Sequence, residues 1–323
     1  MLHLLAPQTS VPSSRTRKES LVSDSNSTAR KTTGRSDALT NAVPPTGLVM
    51  LSIFSVQLGA AIAKTLFDDL GPGGTVFLRI SFAAVVLLLL WRPKLGGYAR
   101  SEYLVAVVFG LALAAMNFSM YLALDRIPLG IAVTLEFVGP LGVAVAGSRR
   151  MLDLLWVVLA AAGILLLAPL GVFGQSNLDP IGVLFALTAG LFWASYILLS
   201  AGTGSVFPGG TGLVISLCVG TVILLPIGIS SGGYALLDPW LLLAGFGLAM
   251  LSSAIPYSLE MEALRKVPAR VFGVLMSLEP AVATLLGFVV LGERLGPKSI
   301  AAILLVTAAA AGASRFGKQA PAG

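Results

Sequence analysis

From residue 46 onward the chain is a succession of apolar runs, each close to the roughly 20 residues a helix needs to cross a bilayer. Ten can be marked, at about 46–66, 74–92, 103–123, 129–147, 152–170, 180–200, 211–230, 239–259, 270–291 and 297–315. The runs are continuous and do not alternate with polar positions, which predicts α-helices and argues against a transmembrane β-barrel. Short polar stretches separate them, so successive helices are expected to pack side by side. Two runs interrupt their own pattern. In Pro128–Arg150 an acid, Glu136, stands four residues before Pro140. In Val267–Glu293 another, Glu279, stands beside Pro280. Proline has no N–H to donate to the carbonyl four residues back, so both helices should bend near their acid. Pro140, Pro256 and Pro280 are the expected hinge points.

Composition agrees with the pattern. Of 323 residues, 56% are hydrophobic and only 11% charged, with a mean hydropathy of +0.91; a soluble domain carries about a quarter charged residues. The fold class is therefore an all-α, polytopic membrane protein. The formal charge of +6 does not indicate nucleic-acid binding, because the basic residues are scattered over tails and short loops. If both termini are cytoplasmic, the inner loops and C-terminal tail hold Arg92, Lys94, Arg100, Arg149, Arg150, Arg265, Lys266, Arg270, Arg315 and Lys318. The outer loops hold only Arg126, Arg294 and Lys298. That bias predicts a multi-pass protein of the cytoplasmic membrane with both termini inside. Residues 1–45, rich in Ser, Thr, Arg and Lys, are expected to be a disordered cytoplasmic tail, and 317–323 a short C-terminal tail.

The single histidine, His3, and single cysteine, Cys218, exclude a His-based metal centre or Ser-His pair in the membrane part. With no GxSxG motif and no paired aspartates at depth, an enzyme is not expected, nor a metal or cofactor. Proton chemistry there must use carboxylates.

An internal repeat gives the organisation. Ala123-Leu124-Asp125-Arg126-Ile127-Pro128 matches Ala263-Leu264-Arg265-Lys266-Val267-Pro268 at an offset of 140, which also carries Pro140 onto Pro280. Pro72-Gly73-Gly74-Thr75 recurs as Pro208-Gly209-Gly210-Thr211 at an offset of 136. The repeat unit is five helices, 46–175 against 176–316. Five is odd, so the second copy enters the membrane from the opposite side. Inverted repeats of this kind mark alternating-access transporters with a site at the repeat interface.

Several runs carry a more specific likeness: Ala63–Phe67 (AKTLF), Asn117–Leu141 (NFSMYLALDRIPLGIAVTLEFVGPL), Ser148–Ala160, Phe192–Leu198 (FWASYIL), Ile255–Leu264 (IPYSLEMEAL) and Phe272–Ala281 (FGVLMSLEPA). In these the chain resembles the threonine/homoserine exporters of the EamA branch of the drug/metabolite transporter superfamily, over nearly the whole membrane part. The resemblance implies ten helices in a basket around a central cavity, both termini cytoplasmic, and export of a small polar metabolite.

Charge at membrane depth is expensive and needs a reason. Glu136 and Glu279 are the deepest acids. At offset 140 they miss one another by three residues, close to one helical turn, so they keep similar faces of the two repeat helices. Two carboxylates sharing one low-dielectric space suit proton-coupled exchange and can meet a substrate ammonium. Arg79 can hold a substrate carboxylate bidentately. Lys64, at the end of the first span, is a further candidate, or else an interfacial cation. Glu260 belongs to the IPYSLEME run, while Glu262 is expected to pair with Arg265 or Lys266. Among neutral polar side chains (Gln57, Asn117, Ser119, Tyr121, Trp193, Ser195, Tyr196 and Tyr257), Asn117, Tyr121, Trp193 and Tyr257 complete the expected site, and Asn117 aligns with Tyr257 at offset 140. The expectation is a secondary transporter exporting small amino acids or related zwitterions, by proton antiport. Its partners are the substrate, protons and the lipid bilayer. Export of drugs or hydrophobic cations is the competing reading.

Overall fold

Helices in this chain start where proline or a capping aspartate permits. Pro45, Pro180, Pro239 and Pro297 each open a helix, where the missing N–H has no intrahelical partner to lose. Asp179 and Asp238 cap two of these, accepting from Ile181 N at 2.9 Å and from Trp240 N at 2.7 Å. The computed structural model describes residues 44–93, 96–146, 151–167, 178–207 and 210–316; of the expected tails at 1–45 and 317–323, residues 1–43 and 317–323 lie outside them, while Pro45 already opens the first helix. The elements are α1 (Pro45–Thr65), α2 (Phe67–Trp91), α3 (Arg100–Leu124), α4 (Leu129–Glu136), α5 (Val138–Ala146), α6 (Met151–Leu167), α7 (Pro180–Val206), α8 (Thr211–Gly232), α9 (Pro239–Ala249), α10 (Ile255–Lys266), α11 (Ala269–Met276), α12 (Glu279–Leu291) and α13 (Pro297–Phe316). A 3₁₀ turn follows α8, and a π turn, Met250–Ala254, joins α9 to α10.

The described residues are helical with no strand. Seven stretches are long and apolar enough to cross a membrane: Pro45–Thr65, Phe67–Trp91, Arg100–Leu124, Pro180–Ser200, Thr211–Leu237, Pro239–Lys266 and Val271–Leu291. Leu129–Val143, Leu155–Leu166 and Pro297–Gly312 are apolar but shorter. The outward surface suits lipid: Leu90, Val222 and Val289 are each about two-thirds exposed, which water would penalise and hydrocarbon does not. Helix α2 begins earlier than the apolar run suggests, because a turn at Phe67–Leu70 precedes Pro72.

The expected fourth and ninth spans are each broken in two. Helix α4 stops at Glu136, and α5 resumes at Val138. Helix α11 stops at Met276, and α12 resumes at Glu279. The first halves share their bounds at an offset of 140, 129–136 against 269–276. Their N-caps are the matched prolines, Pro128 (φ −58, ψ 143) and Pro268 (φ −58, ψ 141). The carbonyl left by Pro140, that of Glu136, is covered by α7: a Cβ on Gly190 would stand 2.6 Å from it. Gly139 makes the reciprocal approach to the Gly190 carbonyl. Only two glycines allow the backbones this close.

Packing places the halves differently. Helix α4 packs on α12 and α7, whereas α5 packs on α7 and α13, and α11 on α1 and α13. Among the remaining contacts, α1 lies against α10 and α12, α2 against α8 and α9, α3 against α7 and α8, and α6 against α13. The α4–α12 end is filled by aliphatic side chains: Leu124, Ile127, Leu129 and Ile131 are all at most 1% exposed.

Candidate functional site

A cavity of about 420 Å³ lies beside the two helix breaks, within the range of roughly 300–1,000 Å³ usual for small-molecule sites. Its wall draws on α1, α2, α3, the broken helices, α7 and α10. Leu124 and Val133 mark its deep limit towards the aliphatic plug. From there it runs between α5, α10 and α11, past Leu141, Glu260 and Phe272. At that end Glu260 and Phe272 are half-buried, whereas Leu124 at the other is fully buried, and we read the half-buried end as the mouth.

Among the described residues, Arg79 is the one arginine or lysine on this wall. It projects from α2 and its guanidinium lies 5.6 Å from the centre of the Tyr121 ring. Its Nη1 donates to the Tyr121 hydroxyl at 3.4 Å and Nη2 to the Ser252 carbonyl at 3.3 Å. Both are at the long edge of hydrogen-bond geometry. Its Nε is buried without a partner, and no carboxylate lies within ion-pair distance among the described residues. Proline explains the Ser252 acceptor. Pro256 has no N–H to give to the carbonyl four residues back, and the π turn widens the helix at that point. Such turns recur at functional sites.

Three glutamates share the wall. Glu136 ends α4 and is half-buried, because the cavity reaches it. Glu279 opens α12 and is 5% exposed, with no hydrogen-bond donor among the described residues. Glu260, nearer the mouth, accepts from Ser52 Oγ at 2.6 Å. Glu136, Glu260 and Glu279 line the same cavity as Arg79. No three Asp, Glu, His or Cys side chains among the described residues are grouped to hold a metal ion.

The remaining expected residues divide. Asn117, Tyr121, Trp193 and Tyr257 line the cavity with Pro140. Asn117 donates to Leu113 O of its own helix at 2.8 Å, and Trp193 meets Phe137 edge-on at 5.3 Å. Lys64 is not on the wall. It lies at the plugged end, where Nζ donates to Glu293 Oε1 at 2.7 Å and to Ile127 O at 3.1 Å. Pro256 and Pro280 are not among the lining residues; each withholds an N–H from the carbonyl four residues back. Glu262 pairs with Lys266 at 2.8 Å and with Arg265 at 3.4 Å. The neutral Gln57 is 3% exposed and on the wall, with Oε1 unpartnered. Sequence reasoning did not anticipate Ser252, whose signal was Pro256 four residues on, or Glu293, whose partner is 229 residues away.

Comparison with known proteins gives a consistent family. The EamA-like transporter family profile matches residues 180–315. The threonine/homoserine exporter RhtA of Salmonella typhimurium is 41% identical over 270 residues, spanning 84% of this chain and 91% of the exporter. The exporter of the same name in Escherichia coli K12 is 40% identical over the same spans. The uncharacterized transporter YxxF of Bacillus subtilis is 25% identical over 264 residues, 77% of this chain and 83% of the relative. A protein of known crystal structure shares the fold with a TM-score of 0.51 at 20% identity, over 82% of this chain and 96% of that one. With identity of this order along most of both sequences, the chain belongs to the EamA-like transporter family of the drug/metabolite transporter superfamily.

Proposed function

We propose that this protein exports small zwitterionic amino acids of the threonine and homoserine kind, with a proton entering in exchange. The observation that carries the reading is the juxtaposition in one cavity of an arginine with a free Nε and three glutamates. Arg79 has five donors and uses two of them at long range, so its Nε–H and an Nη–H are available to the two oxygens of a substrate carboxylate. Glu136, at the break of α4 and on the same wall as Arg79, receives the ammonium. Glu279 and Glu260 are left for the proton. The unpartnered Gln57 Oε1 accepts from the substrate hydroxyl. The naming of the curated relatives as threonine/homoserine exporters supports the same class.

The cycle follows from the repeat. The ten runs act as two inverted five-helix repeats, 46–175 and 176–316, rocking about the central cavity. Arg265 and Lys266 end α10 and Arg315 ends α13, all at the mouth. On the positive-inside bias we assign the mouth to the cytoplasm and the plugged end to the outside, an orientation that suits the loading state of an exporter in the cytoplasmic membrane.

One observation favours a second reading. Phe137, Trp193, Tyr196 and Phe272, with Met116, Met120 and Met276, also line the cavity. Aromatic and thioether surface beside carboxylates suits hydrophobic amines. Counterflow in proteoliposomes separates the two. Radiolabelled threonine should accumulate and be displaced by homoserine, with valine and a lipophilic cation weak competitors. An inward proton gradient should accelerate export. Failure of every amino acid to exchange, with displacement by the lipophilic cation, would overturn the amino-acid reading.

A further inference from the structure

The plugged end is held by charge as well as by aliphatic packing. After Leu291 the chain turns back on itself. Gly292 adopts φ +67, and Glu293 N donates to Gly287 O at 3.0 Å, closing α12 with a left-handed cap. That turn folds the Glu293 side chain back over its own helix, where Gly287 leaves room: a Cβ there would stand 2.5 Å from Glu293 Oε2. The carboxylate then reaches two other segments. Oε1 meets Lys64 Nζ at the end of α1 at 2.7 Å, and Oε2 accepts from Leu129 N, the first N–H of α4, at 2.9 Å. Lys64 completes the ring through Ile127 O. Four groups from three chain segments are thus tied at one point, with side chains 24% and 13% exposed.

We propose that Lys64 and Glu293 form the latch of the closed end, and that transport requires it to break. It rests on the alternating-access reading above. The carboxylate sits at a helix N-terminus, which favours it electrostatically, and the cation neutralises what remains. A pair that is only partly dehydrated can be exchanged for water at moderate expense, as a reversible closure requires. At offset 136 Lys64 falls on Ser200, whose hydroxyl bonds its own helix, so the cation of the latch has no counterpart at that position.

The latch also reaches the carboxylates. Helix α4 runs from Leu129 at the latch to Glu136 at the cavity, and α12 runs back from Glu279 at the cavity to the latch. Seven residue steps separate Leu129 from Glu136, about 10 Å along a helix. Levering these two helices apart at the latch changes the spacing of Glu136 and Glu279 at their other ends. Glu293 is accordingly a positioning residue for the transport cycle, not a substrate contact.

The test reads both ends of the cavity in the full chain, reconstituted in liposomes, with Cys218→Ser as background and no substrate present. One reporter cysteine replaces Leu124 at the deep limit and another, in a separate variant, replaces Phe272 at the mouth. Glu293→Gln keeps the acceptor for Leu129 N but removes the charge; Lys64→Met removes the cation. In either, the rate at which a membrane-impermeant maleimide labels Leu124→Cys from the latch side should rise about tenfold, a partly buried pair lying between exposed and buried pairs in worth. Labelling of Phe272→Cys from the mouth should fall. A loosened fold raises both rates, and a bystander ion pair moves neither; either result overturns the latch. Wild-type counterflow of threonine reports separately on the export reading.

Discussion

Replacing Arg79 by lysine isolates the geometry of the guanidinium from its charge. The fork can give a carboxylate two parallel bonds, through the unpartnered Nε and one Nη, whereas an ammonium gives one. Hydrogen bonds to charged groups contribute about 1.5–3 kcal/mol net. Losing one of two should weaken threonine binding by about 10- to 150-fold, at 1.4 kcal/mol per decade. Little structural stability is at stake, because the contacts Arg79 makes to protein are 3.3 and 3.4 Å long. Equilibrium binding by scintillation proximity on purified protein measures the change. The control is threoninol, which keeps the ammonium and hydroxyl but lacks the carboxylate. If Arg79 grips the carboxylate, Arg79→Lys should leave the already weak threoninol binding nearly unchanged. An equal loss for both ligands would show that Arg79 shapes the cavity without touching the carboxylate. No loss for either would remove it from the site.

Glu136→Gln should abolish threonine counterflow, while Glu279→Gln should retain counterflow and lose acceleration by a pH gradient; the reverse pattern would exchange their roles. Gln57→Leu removes the unpartnered acceptor and should reduce the preference for threonine over valine by about 5- to 30-fold, the worth of about 1–2 kcal/mol for one hydrogen bond, read by competition. Gly190→Val places carbon against the Glu136 carbonyl and should cost about 1–3 kcal/mol by overpacking, seen as a lowered melting temperature in detergent. Asp179 is held below the ordinary carboxylate range by the Arg126 guanidinium at 3.0 Å and by the Ile181 N–H. Its folded form prefers the charge, so its stabilisation is present above about pH 4 and fades as pH falls through the lowered value. Asp179→Asn should flatten that acid limb of the melting curve.

Hydropathy alone places most of the helices, because hydrocarbon demands uninterrupted apolar length. It does not show that the Leu129 and Ala269 runs are each two helices, but Pro140 and Pro280 do, through the N–H they lack. Glu136, Glu279 and Arg79 stand out as charges with no apolar alternative reading at that depth. Gln57 stands out less, since neutral polar side chains often bond between helices. The Ser252 carbonyl belongs to the backbone and is visible only through Pro256. Lys64 shows the limit most plainly. Its position at a helix end fits an interfacial cation or a cavity residue equally, and the deciding fact is a partner just past the end of α12, Glu293, brought to it by Gly292 and Gly287. Pairing between distant helices depends on their rotation, which no single run encodes.

The three-residue mismatch between the glutamates acquires a physical meaning from the breaks. Both repeat helices break at the same place, after residues 136 and 276, yet the acid falls before the break in one and after it in the other. Glu136 therefore rides on the half that begins at the latch, and Glu279 on the half that ends there. These two halves, α4 and α12, pack on one another. Had the acids aligned at offset 140, with the second at residue 276, they would sit on α4 and α11, the first halves of their pairs, of which α4 packs on α12 while α11 packs on α1 and α13. A motion at the closed end would then move one and leave the other. The mismatch puts both carboxylates on the pair of helices that the latch joins. Under the latch proposal, opening that end and altering the spacing of the two acids are a single movement, which is the coupling the proposed proton antiport requires.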